Sequence, residues 1–133
     1  MSQPPVTIRI PVVIDPALTG NGRAHPMKKH RLFQELKDTT GWALKAQAPH
    51  TAFTPDQVPL TLDYVVARKR YAKPYDDDNL IHGLKAARDS IAAHLRIDDR
   101  HFVTGRIEQI RDVDGIGFVD VTITPADERQ AAA

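Results

Sequence analysis

Leu60-Thr61-Leu62-Asp63-Tyr64-Val65-Val66-Ala67 runs through Arg68-Lys69-Arg70, Lys73 and Asp76-Asp77-Asp78-Asn79 into a periodic stretch that ends at Leu95. The opening residues are largely β-branched and apolar, which predicts a strand. Leu80, Leu84, Ala87, Ile91 and Leu95 recur at helical spacing, which predicts a helix from about Asp78 to Leu95 with one buried stripe. A strand, a charged turn and an amphipathic helix therefore form the middle of the chain, and the other elements are arranged around them.

Upstream, Val6 to Val13 alternates and reads as a first strand, with Pro11 pointing to an edge or a bulge. Asp15 to His25 holds Pro16, Gly20, Asn21 and Gly22 and reads as a loop. Pro26 can open a helix. Leu32, Phe33, Leu36, Thr40, Ala43 and Leu44 continue that helix for about twenty residues, weakened in its middle by Gly41. Pro49 to Pro59 is a connector. Downstream, Gly105 to Arg111 and Gly115 to Ile123 read as two strands, with Asp112-Val113-Asp114-Gly115 as a hairpin turn. The order β-α-β-α-β-β predicts an α+β fold. Its small mixed sheet has about four strands, with two main helices on one face. A single domain is expected over residues 1–133, with flexible ends at 1–5 and 126–133.

A chain of 133 residues can bury one real core without staples. It has no cysteine, which excludes disulfides, thiolate metal sites and cysteine nucleophiles. No apolar run approaches the roughly 18–20 residues of a membrane span, and Met1 to Pro5 lacks the layout of a signal peptide. A cytoplasmic protein without a membrane partner is expected. The net charge of +1 is unevenly spread. Residues 23–75 hold ten Lys/Arg against four Asp/Glu, and residues 76–133 hold seven against twelve. A basic half beside an acidic half suits a metal-dependent enzyme acting on nucleic acid.

The acidic residues sharpen that expectation. Adjacent carboxylates repel one another and favour water or a hard cation. With Asp78 as the cap of a continuous helix, Asp78, His82, Lys85 and Asp89 fall within about a 60° arc opposite the apolar stripe. Asp76 and Asp78 share a face of the extended approach. Asp98-Asp99 follows the helix, and Asp99 could join Asp76 and Asp78 around one or two Mg²⁺ ions if the next strand runs back beside the second. Such ions polarise a phosphodiester and activate water. Lys85 could neutralise charge in the transition state, or pair with Asp89 four residues on. The competing reading is structural: aspartates before a helix complement its dipole. A calcium EF-hand is excluded, because Ile81 occupies the position that needs glycine and no glutamate stands at the twelfth.

Lys73-Pro74-Tyr75-Asp76-Asp77-Asp78-Asn79-Leu80, then Lys85 and Asp89, then Ile97-Asp98-Asp99 resemble the RusA family of Holliday junction resolvases, small endonucleases often encoded by prophages. The loop Gly20-Asn21-Gly22-Arg23-Ala24-His25 is similar to that family's polar loop, and the order of elements matches over roughly residues 6–124. The resemblance implies a RusA-like fold and a crossover junction endodeoxyribonuclease of DNA recombination and repair in a bacterial or phage-infected cell. It further implies a homodimer, paired nicks in four-way junction DNA, and dependence on Mg²⁺, with Mn²⁺ as a substitute. By position, Asp76, Asp78 and Asp99 would be catalytic and bind metal, with Asp98 as a further metal ligand and Lys85 as the catalytic lysine. The chain departs from the pattern at one point. His82 stands where the family has its lysine, and Lys85 comes three residues later.

Arg68, Lys69, Arg70 and Lys73 would contact DNA phosphates, joined by Arg23, Lys28, Lys29 and Arg31. The cluster Lys28-Lys29-His30-Arg31 opens the first helix, where cations oppose the dipole and an external anion would relieve them. His25 and His101 could ligate metal, touch DNA or serve structure. Phe33 and Trp42 are expected in the core or at a dimer contact, and Tyr71 and Tyr75 beside a distorted junction. Two rival functions share these features: a nuclease acting on other branched or linear DNA, and a non-catalytic DNA-binding phage accessory protein.

Overall fold

Strands β1 (Val6–Ile10), β2 (Leu60–Lys69), β3 (Phe102–Asp112) and β4 (Phe118–Thr124) form one mixed sheet in the order β1-β4-β2-β3. The computed structural model describes residues 4–19 and 25–126. Residues 1–3 and 127–133 of the expected flexible ends, and Arg23 with its loop, lie outside the described residues. The fold is α+β, as expected from the order of elements, with three α-helices: α1 (Pro26–Gln47), α2 (Asp77–Gly83) and α3 (Lys85–Leu95).

The sheet departs from the expected hairpin. β4 pairs antiparallel with both β1 and β2, while β3 lies on the far side of β2 and runs parallel to it. The chain leaving β3 must therefore pass over the end of β2 before it can descend as β4. Gly117 makes this crossing. Its φ is +107°, and a Cβ there would sit 2.6 Å from the Ala67 carbonyl oxygen. Only a residue without a side chain fits that approach. The Asp-Gly signal marked a turn correctly, but turn chemistry cannot say which strands the turn joins.

Ile8, Ile10, Leu62, Tyr64, Val119 and Val121 line the inner face of the sheet and are buried. Leu36, Ala43 and Leu44 of α1 and Ala87, Ile91 and Leu95 of α3 pack into the same core. The two helices meet where the Ser90 hydroxyl donates to the Lys37 carbonyl at 2.9 Å. A Cβ on Gly41 would lie 3.4 Å from Ser90 Oγ, so the glycine in the middle of α1 sits at a close helix–helix approach. Phe33 packs against the core, as expected. Trp42 does not: it is 72 % exposed, with the Lys45 ammonium 5.3 Å from its ring centre.

The second helix is broken at Leu84, where a continuous one was expected. The Leu84 N–H is shared between the carbonyls of Leu80 at 3.0 Å and Ile81 at 3.2 Å, and α3 restarts from the Leu84 carbonyl. Gly83 is buried at this point, and a Cβ on it would lie 2.8 Å from Ile14 Cγ2. The missing side chain lets α2 settle against the segment that follows β1.

One irregularity in β3 decides what faces the helices. Leu62 pairs with Thr104 but Tyr64 pairs with Ile107, so two residues of β3 oppose Asp63 alone. Asp63 Oδ1 accepts the Arg106 N–H at 2.7 Å, and Gly105 leaves no room for a Cβ against the same carboxylate. An extra residue reverses the alternation of a strand. Beyond the bulge, Ile107 and Gln109 therefore turn toward the helices, while Arg106 and Glu108 turn away.

Candidate functional site

The turn that follows β2 is held at Tyr75. The Tyr75 N–H donates to Gln109 Oε1 at 2.9 Å, Gln109 Nε2 donates back to the Tyr75 carbonyl at 2.7 Å, and the Tyr75 hydroxyl donates to the Ile14 carbonyl. Burial of the ring pushes the Tyr75 hydroxyl pKa up, with Asp15 adding to the rise. Chain direction through the acidic run is thus fixed from both sides of the sheet.

Asp76, Asp77 and Asp78 follow and are all exposed. The residue capping α2 is Asp76, not Asp78, and its side chain makes no capping bond. Asn79 Nδ2 lies 3.5 Å from Asp76 Oδ2, and Asp77 Oδ1 accepts from Gln109 Nε2 at 3.1 Å. Asp78 has no hydrogen-bond or ion-pair partner among the described residues. These carboxylates favour the positive end of the α2 dipole, yet none satisfies a free backbone N–H of its first turn. Their oxygen donors suit Mg²⁺, which is held by one or two carboxylates with water and phosphate completing the shell.

Asp98 and Asp99 lie elsewhere. β3 runs beside β2, but parallel to it, so the residues before Phe102 sit at the opposite end of the sheet from the end of β2. Phe102 and Gln109 are seven positions apart on β3, a span of roughly 20 Å at about 3.3 Å per residue. Asp99 does not meet Asp76 and Asp78 within one chain. Among the described residues no three His, Asp or Glu side chains form a group that could hold a metal ion. Asp98 caps the short turn Asp99–His101 by accepting the Arg100 N–H at 3.0 Å, and this bond is the main cause of its lowered pKa.

Between the two acidic ends lies a cavity of about 190 Å³ that the sequence did not disclose. It opens between the break at Leu84 and the inner face of β3. Ile81, Leu84 and Ile107 form its apolar walls; Tyr64, Arg88 and Thr104 carry its polar atoms; His82, Lys85 and Asp99 complete it. The Arg88 guanidinium donates to Thr104 Oγ1 at 3.2 Å and to the carbonyls of Asp99 and Phe102 at 3.0 Å each. Its Nε is buried without a partner, and no carboxylate pairs with it among the described residues. Tyr64 is 3 % exposed, and burial pushes its pKa up to about 12. Its hydroxyl has no hydrogen-bond partner among the described residues.

His82 and Lys85 also line a second hollow, on the other side, with Lys29 and His30 from α1 and Thr19 and Phe33. Among the described residues no carboxylate lines this hollow. Despite the break, His82 and Lys85 thus share a face, and that face joins the basic start of α1. Lys85 forms no ion pair with Asp89 among the described residues. Arg68 is half-buried, its Nε donating to the Ala72 carbonyl at 3.1 Å; Lys69, Arg70 and Lys73 are exposed beside the acidic turn. Lys28 is exposed, and Arg31 lies 3.7 Å from Glu35. His25 caps α1, its Nδ1 accepting the Met27 N–H at 3.1 Å, and His101 Nε2 accepts from Arg100 Nε at 3.3 Å. Both histidines therefore have structural partners.

Sequence reasoning missed Tyr64, Arg88, Thr104 and Gln109. Arg88 stands one helical turn after Lys85 and Tyr64 lies on the inward register of β2, so both were open to periodicity; Thr104 and Gln109 depend on strand pairing and on the bulge. The chain matches no protein-family model and no curated protein.

Proposed function

We propose that the chain is a Mg²⁺-dependent, structure-selective DNA endonuclease of the RusA resolvase type, acting as a homodimer on four-way junctions. The observation that carries this reading is the state of Asp76, Asp77 and Asp78. They are exposed and crowded, none of them bonds a free backbone N–H of the first turn of α2, and Lys69, Arg70 and Lys73 stand beside them. Exposed carboxylates that leave the helix start unbonded, next to cations able to hold phosphates, are the parts of a phosphodiesterase.

In this reading Asp76 and Asp78 offer the hard oxygen donors, and Gln109 keeps Asp77 turned toward β3. Lys69, Arg70 and Lys73 hold the strand by its phosphates. Bound Mg²⁺ supplies polarisation of the phosphodiester and an acidified water. A two-fold copy would be needed to bring an Asp98-Asp99 pair to the Asp76-Asp78 end, which is consistent with a dimer serving a two-fold junction.

The separation of Asp99 from Asp78 favours a second reading, a DNA-binding accessory protein that does not cut. One experiment divides the two: a synthetic four-way junction and a matched linear duplex are incubated with Mg²⁺ and wild type or Asp78→Asn. Paired nicks confined to the junction and lost in the variant support the nuclease. Junction binding without nicks in Mg²⁺ or Mn²⁺ supports the accessory protein.

A further inference from the structure

We propose that the cavity between the α2–α3 break and β3 receives a single unstacked nucleobase of the bound DNA strand. The adjoining phosphate rests on the rim formed by His82 and Lys85. The inference deepens the DNA-processing reading above and rests on it for the identity of the ligand.

Size comes first. A volume of about 190 Å³ equals about six waters at about 30 Å³ each. That is room for one heterocyclic ring system and is below the usual range for larger ligands. The apolar side chains of Ile81, Leu84 and Ile107 suit the faces of a flat ring.

The polar atoms then select the edge. The Tyr64 hydroxyl, on a buried side chain and unpartnered among the described residues, can donate. Thr104 Oγ1 already accepts from Arg88, so its own proton is available. Asp99 is the one carboxylate on the wall among the described residues. Donors dominate, so the matching edge carries carbonyl oxygens or bare ring nitrogens, with at most one amino group turned to Asp99. All four bases meet this description, adenine through its bare ring nitrogens and its single amino group.

The rim explains how a strand would reach the cavity. His82 and Lys85 separate it from the hollow lined by Lys29 and His30. A backbone following that hollow passes the mouth of the cavity. Tyr64 is too deep for a stacked base, so the base must leave the helix. That is costly in paired DNA and least so where pairing is already disrupted. The cavity thus discriminates among DNA shapes without any requirement that it touch the metal.

Isoleucine methyl NMR on the full chain, without Mg²⁺, tests this. Ile81 and Ile107 are followed during titration with dGMP, dCMP, dTMP, dAMP and deoxyribose 5-phosphate. The expected result is that all four nucleotides shift both methyls. Deoxyribose 5-phosphate should leave both unshifted. Tyr64→Phe, and independently Thr104→Val, should weaken dGMP by about tenfold. Equal response to the sugar phosphate overturns the proposal in favour of a phosphate site. No response to any nucleotide overturns it in favour of a water-filled cavity. Junction assays on the same samples separate the two inferences. Methyl shifts with a junction neither bound nor cut uphold the base pocket and remove the nuclease reading. A junction cut equally by wild type and Tyr64→Phe, with silent methyls, removes only the pocket.

Discussion

Gln109 grips the main chain of Tyr75 at both its N–H and its carbonyl, at 2.9 and 2.7 Å, and so ties the edge strand to the turn that carries the aspartates. Gln109→Leu removes both bonds and the contact to Asp77 while keeping bulk. We expect a loss of about 1–2 kcal/mol from the net value of two partly buried hydrogen bonds. Mg²⁺ affinity should fall as well, because the acidic turn loses its anchor. Denaturant titrations with and without Mg²⁺ measure both effects.

Asp78→Asn should leave the fold intact, since Asp78 makes no bond among the described residues. Without Mg²⁺ the variant should match or slightly exceed wild type, because a repulsive charge is gone. With Mg²⁺ the wild type alone should gain stability with ion concentration. Equal Mg²⁺-dependent gains in both proteins would remove Asp78 from the metal site.

Gly117→Ala places a side chain against the Ala67 carbonyl on a backbone at φ +107°. A loss of about 2–3 kcal/mol is expected from backbone strain and overpacking together. Asp114→Ala, in the same turn but exposed, provides the comparison for thermal unfolding.

Tyr64 has its pKa raised from 10.0 to about 12, with burial as the largest cause. The neutral phenol is therefore favoured in the folded state. Its contribution is complete below the unfolded pKa near 10 and is lost as the pH rises toward 12. The loss amounts to about 2–3 kcal/mol at about 1.4 kcal/mol per unit. Tyr64→Phe should flatten this alkaline decline, which phenolate absorbance and unfolding followed together would reveal.

Lys69→Ala and Lys73→Ala should each weaken DNA binding similarly across sequences and lower the slope of log affinity against log salt by about one. Affinity measured at several salt concentrations on junction and duplex is the readout. An unchanged slope would place the DNA elsewhere on the surface.

Much of the architecture was legible. The strand at Leu60 to Ala67, the helix opened by Pro26 and the edge position foreshadowed by Pro11 all follow from local rules that periodicity and turn chemistry express. The break at Leu84 was hidden because Gly83 is dictated by Ile14, a residue far away in sequence. The partners of β4 were hidden because an Asp-Gly turn looks the same whether the strands on either side pair or not. The acidic turn could be located from Asp76 to Asn79, but its distance from Asp99 depends on β3 being parallel to β2. The cavity needed the bulge opposite Asp63, which sets Ile107 and Gln109 inward and has no signature beyond a glycine at 105.

The pairing of β4 between β1 and β2 also governs the order in which the molecule can form. Val6 meets Ile123 and Leu62 meets the same residue from the other side, so β1 and β2 are not joined in one sheet until β4 is present. An intermediate ending before Phe118 could assemble the helices and the β2–β3 pair, but it would hold β1 only through α1, where Gln47 bonds the N–H and the carbonyl of Arg9. Such distant pairing is slow to close. Commitment to the native state therefore waits for β4, which enters the central gap and converts two fragments into one sheet.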